Sequence, residues 1–388
     1  LHLLSRRQRQ MCIRDRNLSV CIIAKNEEKH IEKCMQCLSD KEVQIVVADT
    51  GSTDKTKEIA KKYTEFVYDF KWIDDFGAAK QFAVSKAYND NILILDCDEY
   101  LQSDKTVLEK LNSMLENEPR RAGRIKCINV LEDDSKNTDW ITRAFNRKYY
   151  KVEGKIHEQI VKTDGEPADT FLSAVVIKHV GYALNDDEKK KKALRNIKLL
   201  KKRLAELEKN FDSDITQNNE KEIPYIYYQL GKSYYMEKDY NNACDFFSKG
   251  LSFDLEPKLE YVIDMVETYG YAMLNCGKVQ EALSYTSIYD VFGNSADFKF
   301  LMGLIYMKNA MFDEAVNEFQ KAAEYKESRV EGTNSYLAYY NIGVIYECLG
   351  NIGKAQEYYK KCNGYSKAVE RLKNGRHGNL TKCRKTGV

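Results

Sequence analysis

A chain of 388 residues is long enough for two domains, each with its own core, and 43% hydrophobic with 31% charged content is ordinary for a globular protein. No apolar run approaches the length of a membrane helix, and the N-terminus carries charges where a secretory signal would be apolar. A net charge of +2 excludes a strongly basic nucleic-acid binder; five arginines and one aspartate fall within residues 1–16, and the rest of the chain carries −2.

The opening stretch "SRRQRQMCIRDR" has no apolar period and resembles translated sequencing-adapter read-through. Residues 1–16 are therefore expected to be an artefact and disordered, rather than a basic arm. The 11 cysteines are scattered through apolar patterns, an odd count that argues for reduced thiols in the cytoplasm. Cys34 and Cys37 form a C-x-x-C, but no second pair or histidine cluster completes a zinc site, and their helical context reads as packing.

From Leu18 onward, strand and helix patterns alternate. "LSVCIIA" is a β-branched apolar run, and "KNEEKHIEKCMQCL" has helical spacing at Ile31, Cys34 and Leu38. "VQIVVAD" is a second buried strand, and "TGSTDKTKEIAKKY" gives a turn and a helix start rich in capping residues. "FGAAKQFAVSKAY" reads as another amphipathic helix, followed by the strand "ILIL" and the acids of "DCDEY". Strand–helix alternation predicts a parallel sheet covered on both faces, with ligands at the carboxyl ends of its strands. The acids Asp96 and Asp98 fall at such an end. Two carboxylates near ~4 Å repel by about 4 kcal/mol at an effective dielectric of 20, so a fold that aims both together supplies a cation. Hard oxygen ligands suit Mg2+ or Mn2+. The plainer alternative is a solvated turn with Asp98 and Glu99 exposed.

Residues 186–223 read as a helical linker, with Leu194, Ile197, Leu200, Leu204 and Leu207 at helical spacing before the polar turn "DSDITQNNEKE". The Lys189–Lys192 run reads as a solvated helix face, or as part of a membrane-facing rim. In residues 224–375 a repeat appears: Gly231 and Ala243 are twelve apart, as are Gly270 and Ala282, Gly303 and Ala315, and Gly343 and Ala355. Phe247, Phe319 and Tyr359 follow three of the alanines by four, whereas the second unit has Thr286 there. Helical hairpins follow, with small residues permitting close approach and aromatics filling the space between hairpins. Residues 376–388 are expected to be a disordered tail.

"LSVCIIAKNEE", "VVADTGSTDKT", "DDFGAAKQFAVSKA" and "ILILDCDEYL", in that order, resemble family 2 glycosyltransferases of the GT-A fold over Leu18–Gly181, and the repeats resemble tetratricopeptide repeats. The combination resembles a bacterial branch that includes peptide S-glycosyltransferases and lipopolysaccharide-core-type enzymes. The resemblance implies an α/β GT-A domain over 17–185, with Ala24, Asn26, Glu27 and Asp49 lining the nucleotide pocket and Asp49 facing the base. It further implies that Asp96 touches ribose or metal and that Asp98 binds the metal bridging the donor's phosphates. Lys80 stands where relatives carry arginine, and is either a phosphate contact without the bidentate fork or a helix-surface lysine.

In "YKVEGKIHEQIV", Glu158 is the expected base, with His157 orienting it or contacting phosphate; the alternative is a salt bridge from Glu158 to Lys155 or Lys162. His179, after the strand "VVIKH", resembles a third metal or diphosphate contact, or else is a buried histidine bonded to backbone. Trp140 and Arg143 read as exposed candidates for acceptor or phosphate contact, with packing as the alternative for the tryptophan. The chain is thus expected to be a metal-dependent inverting transferase that uses a nucleotide-sugar, a UDP-sugar first. Its acceptor is expected to be a peptide or protein held by the repeats; repeat arrays often mediate dimers, which makes a homodimer one candidate assembly, while the sequence itself does not specify the oligomeric state. Transfer to a lipid-linked or envelope glycan, or an inactive scaffold, stand as the alternatives.

Overall fold

The structure is a computed structural model that describes residues 17–130, 135–181, 186–209 and 216–376. The expected artefact at 1–16 and the expected tail beyond Arg376 lie outside the described residues. The chain divides into two compact units between Asn185 and Asp186.

The described residues of the first unit hold ten strands: β1 (Leu18–Ala24), β2 (Gln44–Asp49), β3 (Val67–Asp69), β4 (Asn91–Asp96), β5 (Glu99–Leu101), β6 (Arg121–Val130), β7 (Lys136–Asn146), β8 (Tyr150–Glu153), β9 (Gln159–Lys162) and β10 (Asp169–His179). Four helices alternate with them: α1 (Ile31–Leu38), α2 (Thr56–Tyr63), α3 (Phe76–Ser85) and α4 (Lys105–Asn117). Eight strands form one sheet in the order β3-β2-β1-β4-β7-β6-β10-β5, and β8 and β9 form a separate hairpin. Strands β3, β2, β1 and β4 run parallel, as does the β6–β10 pair, while β7 is antiparallel to both β4 and β6.

Both faces of the sheet are covered, which is why its strands read as continuous apolar runs. Val20, Ile22, Leu93 and Leu95 pack against Ile31, Met35 and Leu38 of α1 and Leu108, Leu111 and Leu115 of α4. Cys21, Val46, Ile92 and Ile94 face the opposite way, onto Ala83 and Val84 of α3 and Tyr150 and Val152 of β8. Asp75 caps α3 by accepting from the Ala78 N–H at 2.8 Å. At its first turn α3 also docks on the β8–β9 turn. The Gly77 N–H donates to the Gly154 carbonyl at 3.0 Å, and a Cβ on Gly77 would meet that oxygen at 2.6 Å, so only glycine permits this approach.

The second unit is helical: α5 (Asp186–Lys209), α6 (Thr216–Met236), α7 (Tyr240–Leu251), α8 (Glu260–Asn275), a 3-10 helix (Glu281–Ile288), α9 (Tyr289–Phe292), α10 (Ala296–Lys308), α11 (Phe312–Ala323), α12 (Tyr336–Cys348), α13 (Ile352–Lys361) and α14 (Ser366–Arg376). Helix α5 packs on α6 and so belongs with this unit. The polar stretch expected as a turn is helical from Thr216, since Gln217, Glu220, Lys221 and Glu222 are good helix formers.

The aromatics pack toward the next hairpin, Phe319 sharing a core cluster with Ala338, Ile342 and Ile345 of α12 and Phe247 lying against Tyr269 of α8, and they also pack within their own. Phe247, Phe319 and Tyr359 lay their rings on Gly231, Gly303 and Gly343 of their own hairpins, where an added Cβ would meet ring atoms at 2.5, 2.7 and 2.5 Å. In the second hairpin the return segment is a 3-10 helix, which rises faster per residue, and Tyr285 reaches Gly270 in place of Thr286. The spacing of 40 between Gly303 and Gly343 reflects the connection 324–335. Its Arg329 pairs with Asp264 and Glu267 of α8, and the Arg329 and Val330 N–H groups donate to Asp297 at 2.8 and 3.0 Å.

Candidate functional site

Ala24, Asp49 and Asp96 end three adjacent parallel strands, with Ala24 in register with Asp49 and Ile23 with Asp96. Strand order reverses across β1, since β2 lies on one side of it and β4 on the other. Crevices at such a reversal are where open α/β sheets receive ligands. The loop after β1 is stitched to the loop after β2. The Asn26 amide oxygen accepts from the Thr53 N–H at 2.8 Å, the Asn26 N–H donates to Ser52 Oγ at 3.0 Å, and the Glu27 N–H donates to Thr56 Oγ1 at 2.7 Å. Asn26 holds a left-handed backbone at φ 54°, which its short amide tolerates.

Asp49 is buried, and its Oδ2 accepts from the N–H groups of Gly51 and Ser52 at 3.2 and 3.0 Å. Its Oδ1 is buried with no hydrogen-bond partner among the described residues. A buried acceptor left in this state costs about 1–3 kcal/mol, which a donor group on a ligand would recover.

Asp96 is the centre of an alternating charge chain. Its Oδ1 lies 2.7 Å from the Lys80 ammonium, which also reaches Glu158 at 2.6 Å. Its Oδ2 lies 2.8 Å from Arg143, which reaches Glu99 at 2.7 Å. Glu99 returns to the strand by accepting the Asp96 N–H at 2.9 Å. Arg143 owes its aim to a β-bulge: Gly123 pairs with Ala144 but Arg124 with Thr142, leaving Arg143 as the extra residue. Burial opposes charge throughout, yet Lys80 and Arg143 outweigh it and hold the Asp96 carboxyl well below the usual range. Asp96 and Glu158 likewise raise Lys80 against its burial. Glu99 goes the other way: burial raises its carboxyl, and Arg143 only partly offsets this.

Asp98 lies next along the chain, with its Oδ2 3.4 Å from His179 Nε2 at the end of β10. The His179 Nδ1 sits 2.8 Å from Asn129 Oδ1. Gly181 closes the other side; a Cβ there would lie 2.1 Å from Asp98 Oδ2 and 2.6 Å from His179 Nε2. A carboxylate and an imidazole nitrogen are donors suited to a divalent cation, and the missing Cβ leaves the space beside them. Among the described residues no three such groups converge to form a complete protein cage.

Several expectations change at these contacts. Lys80 is not a helix-surface residue; it is 4% exposed and holds two carboxylates. Glu158 pairs with Lys80 rather than with Lys155 or Lys162. Arg143 is not exposed for an acceptor, because the bulge turns it onto Asp96 and Glu99, and Glu99 at 2% exposure is no solvated turn residue. His179 Nδ1 bonds a side chain, the Asn129 amide. His157 carries a left-handed backbone at φ 53° beside Glu158. Trp140 is half-buried on β7, in register with Lys126. Asn129 carries no signal in the sequence, and no spacing rule marks Glu99 as more than one acid of a turn.

The family model for glycosyl transferase family 2 matches residues 19–179, and the tetratricopeptide repeat model matches 224–257, 296–329 and 336–368. A TPR repeat-containing protein of Synechococcus elongatus is 22% identical over 351 residues, 88% of this chain and 73% of that protein. The SPbeta prophage-derived glycosyltransferase SunS of Bacillus subtilis is 30% identical over 191 residues, 47% of this chain and 44% of SunS. The chain thus matches less than half the length of SunS. The crystal structure of S. aureus TarS 1–349 overlaps 80% of this chain and 93% of its own, at 13% identity and a TM-score of 0.33.

Proposed function

Residues 19–179 are a glycosyl transferase family 2 domain with tetratricopeptide repeats after it, and from that premise we propose that the chain is an inverting transferase. It moves a sugar from a nucleotide-sugar, a UDP-sugar first, to a peptide or protein acceptor bound through the repeats. The observation that carries this reading is the Lys80 bridge, which brings Glu158 and the strand-end Asp96 together at one ammonium. A scaffold with no reaction to run has no need of a buried lysine spanning those two carboxylates.

In this reading Asp49 Oδ1 accepts from the base, and the Ala24–Glu27 loop forms the wall of the nucleotide pocket. Asp98 and His179 would hold Mg2+ or Mn2+. Asp96, with both oxygens taken by Lys80 and Arg143, contacts ribose along its accessible edge. When bound, the cation offsets the charge that grows on the departing nucleoside diphosphate. Glu158 takes the proton from the acceptor's hydroxyl or thiol as that atom attacks the anomeric carbon, while Lys80 holds the carboxylate in place. His157 orients Glu158, and Trp140 offers an apolar surface to the acceptor.

The test is thermal stability of the full chain with UDP, GDP and CMP, each with and without Mn2+, for wild type and Asp98→Ala. A metal-dependent stabilisation by one nucleotide that is lost in Asp98→Ala is expected. Folded protein that responds to none of them would refute the reading.

A further inference from the structure

A cleft of about 430 Å3 opens in the repeat unit where α10 meets the end of α11, lined by Lys299, Lys321, Glu324, Tyr325 and Lys326. Three cations thus face one carboxylate. The lysines are arranged by an acid beneath them. Glu318 is 4% exposed; its Oε2 accepts from the Tyr289 hydroxyl at 2.6 Å and its Oε1 from the Lys321 ammonium at 2.6 Å. A carboxylate can only accept, so the Tyr289 proton points at Glu318 and the phenol oxygen accepts from Lys299 at 2.7 Å. Burial, with Glu318 adding to it, raises the Tyr289 hydroxyl, which keeps that proton.

The chain Lys321–Glu318–Tyr289–Lys299 therefore ends on an ammonium whose hydrogen-bond partner is neutral. Lys299 lies 4.6 Å from the centre of the Tyr289 ring, and among the described residues no carboxylate stands within ion-pair reach of it. Burial lowers the Lys299 ammonium below the usual lysine range, and Lys321 adds to this against the pull of Glu318. Each ammonium has three donors; Lys299 gives one to Tyr289 and Lys321 one to Glu318. A negative group entering the cleft would meet the remaining donors and relieve the repulsion between the two lysines.

We propose that this cleft binds an acidic side chain of a peptide, with its carboxylate between Lys299 and Lys321. The space is that of a ligand pocket rather than of one small anion, and takes a side chain together with the backbone that carries it. Lysines offer compact charges suited to a single carboxylate, without the planar fork that arginine brings to phosphate. Their stems and the Tyr325 ring supply apolar surface for the peptide's methylene groups. The proposal concerns binding alone, so it stands or falls apart from the transfer reaction.

The test is fluorescence polarisation of labelled hexaglutamate with the full chain at low ionic strength, with labelled hexaglutamine as the neutral control. Wild type is expected to bind hexaglutamate and not hexaglutamine. Lys299→Gln unpairs no carboxylate and is expected to weaken binding by about 10-fold or more, the loss of one charge-assisted hydrogen bond. Lys299→Met, which keeps the stem over Tyr289, serves if that variant fails to fold. Lys249→Gln removes a lysine that lies 5.2 Å from the Phe246 ring in another hairpin, and is expected to bind as wild type does. Wild type that does not bind hexaglutamate would overturn the proposal. So would unchanged affinity in the folded Lys299 variant, or an equal loss in Lys249→Gln, which would mark diffuse attraction between charges. Thermal stabilisation by inorganic phosphate that depends on Lys299, without hexaglutamate binding, would give the cleft to a phosphate and overturn it too.

Discussion

The Lys80 ammonium lies 2.6 Å from a Glu158 carboxylate oxygen, inside the protein at 4% exposure. The contact joins α3 to the β8–β9 turn, which Gly77 and Gly154 also bind through backbone. The carboxylate expected to act as base is thereby fixed to the same cation as the strand-end acid Asp96.

Replacing Lys80 by methionine keeps the stem and deletes the charge, leaving Asp96 and Glu158 facing each other without it. Loss of one partner from a buried pair costs about 3–5 kcal/mol, and urea unfolding at pH 7 is the measurement. The acid limb should change too. Lys80 and Arg143 depress the Asp96 carboxyl below its unfolded value near 3.8, so this pairing stabilises fully above that value and is lost as pH falls below it. In Lys80→Met this contribution shrinks, so the fall in stability below that value is expected to be smaller than in wild type.

Asp49→Asn exchanges one carboxylate oxygen for an amide donor. If Oδ1 receives a base N–H, nucleotide affinity falls by about 10-fold or more, from loss of one charge-assisted bond of about 1.5–3 kcal/mol. The Mn2+ requirement should be unchanged, because Asp98 and His179 are untouched. Calorimetric titration with UDP at fixed Mn2+ reads the affinity, and equal affinities would remove the base contact from Asp49.

Gly181→Ala places a methyl where Asp98 Oδ2 would lie 2.1 Å away. The pair must part, so nucleotide stabilisation is expected to lose its dependence on Mn2+. Stability without ligand should fall by only about 1–3 kcal/mol, the usual cost of overpacking. Melting curves with and without Mn2+ separate the two effects.

The strands and their acids were legible because burial on both faces writes continuous β-branched runs, and Asp49 and Asp96 end two of them. The repeats were legible because each glycine must make room for a ring. What escaped were relations set by distant register. Arg143 reads as an exposed strand residue until the bulge opposite Gly123 and Arg124 turns it onto Asp96. Glu99 reads as one more acid of a turn, although its partner lies 44 positions away. Asn129 meets His179 only because β6 and β10 pair in parallel with those two residues in register. The second hairpin departs for a local reason: a 3-10 segment brings Tyr285 rather than Thr286 to the glycine.

The repeat unit carries its own pH dependence at Glu267. Burial pushes its carboxyl up to about 7, with Arg329 pulling the other way, because Arg329 is shared with Asp264. Asp264 has Lys232 and Arg329 as cations and Tyr228 as a donor, and stays well below the ordinary range against its burial. The raised carboxyl means that the folded state binds a proton the unfolded chain has already released above about pH 4.5. Stability of this unit is therefore expected to decline as pH rises from 4.5 to about 7, by on the order of 3 kcal/mol at most, and to level off above. Glu267→Gln keeps the shape without the titration and should flatten that decline. Arg329→Ala should instead destabilise at every pH, by about 3–5 kcal/mol, since it strips the guanidinium from two buried acids and frees the connection 324–335 from Asp264 and Glu267. Hydrogen exchange of α8 and α10 amides across this pH range, corrected for intrinsic rates, reports on this unit alone. Protection that rises toward neutral pH in wild type would reverse the assignment and make Glu267 an ionised partner of Arg329.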